Sequence, residues 1–105
     1  MESSDILITF IVSHGDAYDV MTVAREAGAK GGTILDAHGT LRESDIEFFG
    51  MTLVSEKEML IIVADNDTAD NILDAVKDLP VFKKTGGGII YTTEVKKFNP
   101  YTEAG

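Results

Sequence analysis

The chain has no cysteine, so it forms neither a disulfide framework nor a thiolate metal centre. It is also poor in positive charge: nine Lys and Arg stand against 18 Asp and Glu, a formal charge of −9. Nucleic-acid binding depends on concentrated lysine and arginine that displace phosphate counterions. Arg25 and Arg42 are the only guanidinium groups and the lysines are scattered, so no nucleic acid is expected as a partner. No apolar run is long enough to span a bilayer, and no basic leader with an apolar centre begins the chain. A cytoplasmic protein without direct membrane insertion is expected. Both Gly-x-Gly-x-x-Gly and the lysine-containing P-loop are missing as well.

What remains is a chain of 105 residues, 44% of them hydrophobic, which suits one domain over residues 1–105 with a single core. A domain of this size leaves much of its surface exposed and often gains stability by associating. Asp5 to Val12 is short, apolar and β-branched, and reads as a buried strand. Asp16 is the expected cap of a first helix whose stripe is Ala17, Val20, Met21, Ala24 and Ala27 or Gly28. Gly28 falls where that stripe stops and reads as a left-handed helix cap. Thr33 to Ala37 reads as a short strand, and His38 to Gly50 as a polar, protruding loop. Met51 to Val54 and Met59 to Ala64 carry strand patterns, interrupted at Ser55-Glu56-Lys57-Glu58. A second helix is expected to start from a cap at Asp67 or Thr68, bury Ala69, Ile72, Leu73, Val76 and Leu79, and stop at Pro80. Ile89 to Val95 is the last main strand, and residues 96–105 form a C-terminal segment without periodicity.

The order repeats. Ile6 to Ala17 resembles Met59 to Ala69, and Lys30-Gly31-Gly32-Thr33-Ile34 echoes Lys84-Thr85-Gly86-Gly87-Gly88-Ile89. Two strand–helix–strand halves predict an α+β fold, the ferredoxin-like βαββαβ sandwich, with an antiparallel sheet and two helices on one face. Ile8, Phe10 and Val12 would share one face and Leu7, Thr9 and Ile11 the other. That second face is not cleanly polar, which favours assembly.

With both glycine turns placed, the chain resembles the PII signal-transduction family, the nitrogen regulatory protein P-II family. The resemblance runs from about Asp5 to Gly39 and from about Met59 to Val95. It rests on Gly28-x-x-Gly31-x-Thr33, on Gly39 ahead of the loop, and on Gly86-Gly87-Gly88 before Ile89-Ile90-Tyr91. It implies a homotrimeric regulator rather than an enzyme, with no catalytic residues and no required cofactor. An adenine nucleotide would be the effector, held in clefts between subunits. A target protein, a membrane transporter or metabolic enzyme, would be contacted through the His38–Gly50 loop. Carried over by position, Gly31, Thr33, Gly39 and Arg42 fall where the family touches nucleotide, with Ile11 and Ile62 beside the base. Gly86, Gly87 and Gly88 fall at the turn whose backbone amides cradle phosphate. Ile89 stands where the family's turn continues with lysine. Lys96, Lys97, Asn99 and Pro100 occupy the place of its paired arginines, and the loop has no tyrosine to be modified. Among AMP, a cyclic adenylate, ADP and ATP, the less charged ligands are therefore the easier to accommodate.

The residues also admit other chemistry. His14 and His38 would emerge at one sheet edge about 10 Å apart, where Asp16, Glu43 or Asp45 would complete a metal site; without a tight motif they read as independent surface residues. Asp65-Asn66-Asp67 begins like a calcium loop but lacks the later ligands, so turn and cap chemistry explains it better. Glu43, Asp45 and Glu47 read as a solvated loop rather than as a paired-carboxylate catalyst. Phe48-Phe49 folds back on the core or anchors a partner. The rival functions are an amino-acid-binding regulatory module of the ACT type and an acylphosphatase-like hydrolase. The hydrolase would call for an arginine that Ser13 to Asp16 does not supply.

Overall fold

The computed structural model describes residues 5–40, 54–83 and 87–96. Strand β1 (Asp5–Ser13) leads into helix α1 (Ala17–Glu26), and strands β2 (Thr33–Thr40) and β3 (Val54–Asp65) follow. Helix α2 (Asn66–Val76), a 3-10 turn (Pro80–Phe82) and strand β4 (Gly88–Val95) complete the order. The four strands form one sheet in the order β2-β3-β1-β4. Every neighbouring pair is antiparallel, so the expected ferredoxin-like α+β fold is the one observed.

The register divides the apolar residues between two faces. Phe10 lies opposite Leu60 and Ile90, and Ile8 opposite Ile62. Ile8, Phe10, Val12, Leu60 and Ile62 are all but fully buried, together with Ala17, Val20 and Ala24 of α1 and Ala69, Ile72 and Val76 of α2. Both helices thus cover one face. The Phe82 ring closes the core near β4, 6.1 Å from the Phe10 ring and tilted against it. Removing one such aromatic costs roughly 3–5 kcal/mol in a packed interior.

Several expected boundaries move, each because tertiary pairing outweighs local composition. Strand β2 continues through His38 and Gly39 to Thr40, since each has a partner on β3: Glu56, Ser55 and Val54. The first three residues of the expected loop are therefore strand; Arg42, the tested carboxylates Glu43, Asp45 and Glu47, and Phe48-Phe49 lie outside the described residues. Strand β3 runs through Ser55-Glu56-Lys57-Glu58 without a break, because the β2 ladder and, from Lys57 onward, the β1 ladder hold that polar stretch extended. Helix α2 ends at Val76, so Leu79 packs against the core from beyond it. Its cap is Asp65, whose Oδ1 accepts from the Thr68 amide at 2.7 Å, rather than Asp67 or Thr68.

Candidate functional site

The turn from α1 to β2 is built by its glycines, and they do different things. The Gly28 amide donates to the Arg25 carbonyl and the Ala29 amide to the Ala24 carbonyl, both at 3.0 Å, while Gly28 takes φ +117°. This is the Schellman ending that spends two orphan carbonyls. Ala29 is buried next to it. At Gly32 a Cβ would lie 2.9 Å from Leu60 Cδ1 and 3.0 Å from Met21 Sδ, so a larger residue there would have to displace core side chains. Gly31 is different: it is exposed and nothing lies within 4 Å of a Cβ position. No contact among the described residues calls for glycine there.

The second glycine segment sits on the other side of the molecule. Gly88 begins β4, and a Cβ there would stand 2.7 Å from the Phe82 ring and 3.3 Å from the Ile11 carbonyl. Packing alone therefore explains Gly88. Gly87 is buried beside it, and Gly86 and Arg42 lie outside the described residues. Strands β2 and β4 are the two edges of the sheet, with β3 and β1 between them. Three strand spacings, roughly 14 Å, separate the β2 edge from the β4 edge across the sheet, and Thr33 and Gly39 are offset from Gly88 along the strands as well, since the β2 residue level with Gly88 is Asp36.

The face away from the helices is largely apolar. Ile11 lies between Met59 and Ile89, and Thr33 opposite Ile61. Ile11, Thr33, Met59, Ile61 and Ile89 therefore share this open face. Ile89 is 59% exposed, Tyr91 47% and Leu35 44%. Ile62 does not belong with them: it is in the helix-side core, opposite Ile8. Ile11 and Ile62 point to opposite sides of the sheet, and Ile61 is the β3 isoleucine on the face of Ile11. Alternation misses this because Met59 to Ala64 is apolar at every position.

At the end of the sheet where β1 stops, polar side chains gather on the helix side. Glu58 is 5% exposed, and its Oε1 accepts from the Ala17 amide at 3.0 Å. A residue 41 positions away thus caps α1, and Asp16, at the N-cap position, makes no side-chain cap bond. Glu58 Oε2 faces His14 Nδ1 at 3.6 Å, while His38 Nδ1 faces Glu56 Oε1 at 3.2 Å. The two histidines are thus each matched to a different glutamate of β3, and Asp36 joins the His14–Glu58 pair. At the opposite end, the Thr68 amide and hydroxyl hold the Asp65 carboxyl below the usual aspartate range, with help from the Asp67 amide and Lys30. A depression of about 230 Å³ lies there, lined by Lys30, Gly28 and Asp65 among others. A groove of about 430 Å³ runs between α1 and the Pro80 turn. Neither touches Ile11, Thr33, Gly39 or Gly88.

The class that this arrangement defines is a ferredoxin-like sandwich with an apolar sheet face that no described helix covers and a glycine segment at each sheet edge. The model of the family described as nitrogen regulatory protein P-II matches residues 6–100, nearly the whole chain. The chain belongs to that family, one of signalling regulators. Among solved structures, the B. subtilis GlnK–ATP complex is similar at 18% identity and a TM-score of 0.70, over 90% of this chain and 84% of that one. CPII, a nitrogen regulatory PII-like protein from Thiomonas intermedia K12 bound to ADP, AMP and bicarbonate, is similar at 15% identity and a TM-score of 0.67. The likeness covers 91% of this chain and 94% of CPII. Arabidopsis thaliana PII bound to citrate is similar at 18% identity and a TM-score of 0.65, over 90% and 77% of the two chains. Identities this low show a shared fold. No curated protein sequence matches.

Proposed function

We propose that this protein is a homotrimeric cytoplasmic signalling protein, not an enzyme, that binds an adenine nucleotide between neighbouring copies. It reports the bound state to a target, a membrane transporter or metabolic enzyme, through the His38–Gly50 segment. The observation that carries this reading is the placement of the two glycine segments on opposite edges of one sheet. One copy holds them at least three strand spacings, roughly 14 Å, apart, whereas a head-to-tail ring sets the β2 edge of one copy against the β4 edge of the next. The open apolar face supplies a reason to associate, and the relatives with this fold include complexes with ATP, ADP and AMP. No helix among the described residues is long and apolar enough to cross a membrane.

In this reading Gly31, Thr33 and Gly39 serve one side of the cleft and Gly86–Gly88 the other. Ile11 and Ile61 offer the apolar surface for the base; Ile62, buried beneath the helices, does not. Arg42 supplies the charge-assisted contact to phosphate. Ile89 stands after the glycines and no arginine follows β4, so the site has few fixed cations with which to offset a triphosphate. A target is switched only as far as the nucleotide binds its two loop states with different affinity.

Calorimetric titration of AMP, cyclic AMP, ADP and ATP tests this. AMP or cyclic AMP is expected to bind at least as tightly as ATP, and Arg42→Ala to weaken the bound nucleotide by about 1.5–3 kcal/mol. A strong ATP preference that the substitution leaves unchanged would overturn the ligand assignment. Failure of all four to bind would overturn the nucleotide reading itself.

A further inference from the structure

The polar cluster at the end of β1 has a composition that the nucleotide reading does not use. His14 comes from the turn between β1 and α1, Asp36 from β2 and Glu58 from β3. One ligand atom from each lies within 4.8 Å of the others. Asp36 and Glu58 are direct cross-strand partners. Like charges placed opposite each other across a sheet destabilise it, and here one of the two is buried. A buried carboxylate needs compensation. Among the described residues, Glu58 has the Ala17 amide on one oxygen and His14 facing the other. No lysine or arginine there pairs with it, and an imidazole offsets a carboxylate only when protonated.

The spacing of His14 and Glu58 admits a cation. The 3.6 Å between His14 Nδ1 and Glu58 Oε2 is too long for an N–H···O bond. It is close to the roughly 3.4 Å that separates two ligand atoms about 2.1 Å from a tetrahedral Zn²⁺. One imidazole nitrogen and two carboxylate oxygens suit zinc-like ions. Ca²⁺ asks for six to eight oxygens and Mg²⁺ for octahedral oxygen coordination. We propose that His14, Asp36 and Glu58 form a binding site for a zinc-type divalent cation on the helix side of the sheet, with water in the open position. The ion neutralises the opposed carboxylates and ties the β1–α1 turn to edge strand β2, while Glu58 keeps its second oxygen on the α1 N-terminus. His38 and Glu56, one step further along the same face, are a separate pair.

Calorimetry with ZnCl₂ on the nucleotide-free protein tests this independently of nucleotide binding. One Zn²⁺ per chain is expected, undisplaced by a hundredfold excess of Mg²⁺, together with a raised melting temperature. His14→Ala and Asp36→Asn, both at exposed positions, should each weaken Zn²⁺ at least tenfold while His38→Ala leaves it unchanged. Circular dichroism of the metal-free variants verifies that they fold. Co²⁺ should give visible d–d bands that His14→Ala abolishes. Zn²⁺ binding that survives both substitutions, that is lost in His38→Ala, or that Mg²⁺ matches would overturn the site, as would no binding at 100-micromolar metal.

Discussion

Glycine at position 28 is required twice over. Its φ of +117° is a conformation that L side chains rarely adopt, and a Cβ there would meet Thr68 Cγ2 at 3.2 Å. A left-handed conformation costs an L-residue roughly 1–2 kcal/mol, and the crowding against α2 adds to it. Gly28→Ala is therefore expected to lower stability by at least about 1 kcal/mol, read as a drop in urea midpoint without a change in slope. Gly31, exposed and uncrowded, should accept alanine in the same assay with almost no loss. This contrast separates a glycine that the fold requires from one that the packing leaves free. Glu58 shows the same distinction among charged residues: it belongs to β3 by position and to α1 by function.

The two helices are started differently, and the difference is testable at the level of the element. Helix α1 is capped across the fold by Glu58, whereas α2 is capped from its own doorstep by Asp65. The Thr68 contacts hold the Asp65 carboxyl below the usual aspartate value in the folded protein. Unfolded Asp65 returns to about 3.9 and binds protons more readily than the folded form. The cap's contribution is thus fully present above that value and is lost as pH falls through the lower folded one. Asp65→Ala should melt below wild type from neutral pH down to about pH 5, and the gap should close as the pH drops beneath about 4. Thermal melts monitored by circular dichroism across that range check it; a gap that persists in acid would mean that the carboxylate charge is not what caps α2.

For the whole molecule, the deciding feature is the sheet face that no described helix covers. Leu35, Ile89 and Tyr91 lie open on it, with Ile11 and Ile61 half-buried between them. Contiguous apolar surface of this kind marks an interaction site, and a small domain has few other ways to gain burial. Light scattering at micromolar concentration should return about three times the chain mass of 11.3 kDa. Ile89→Glu puts a charge on that face and should shift the population to smaller species, with nucleotide affinity falling in parallel. A clean monomer in the wild type would remove the cleft between copies.

Taken alone, the order of elements was legible because it is local. The apolar, β-branched run Asp5 to Val12, the helical stripes and the doubled strand–helix pattern each lie within one segment. Their repetition led to the fold and, with the glycine turns, to the family. The fully apolar run Met59 to Ala64 is where local pattern stops carrying information. Both parities look buried, and only the pairing of β3 with β1 puts Leu60 and Ile62 under the helices and Ile61 on the open face. The same non-local pairing brings Glu58 onto the first turn of α1 and sets Asp36 beside His14. A side chain's neighbours across a sheet depend on register, and register is a property of the folded whole.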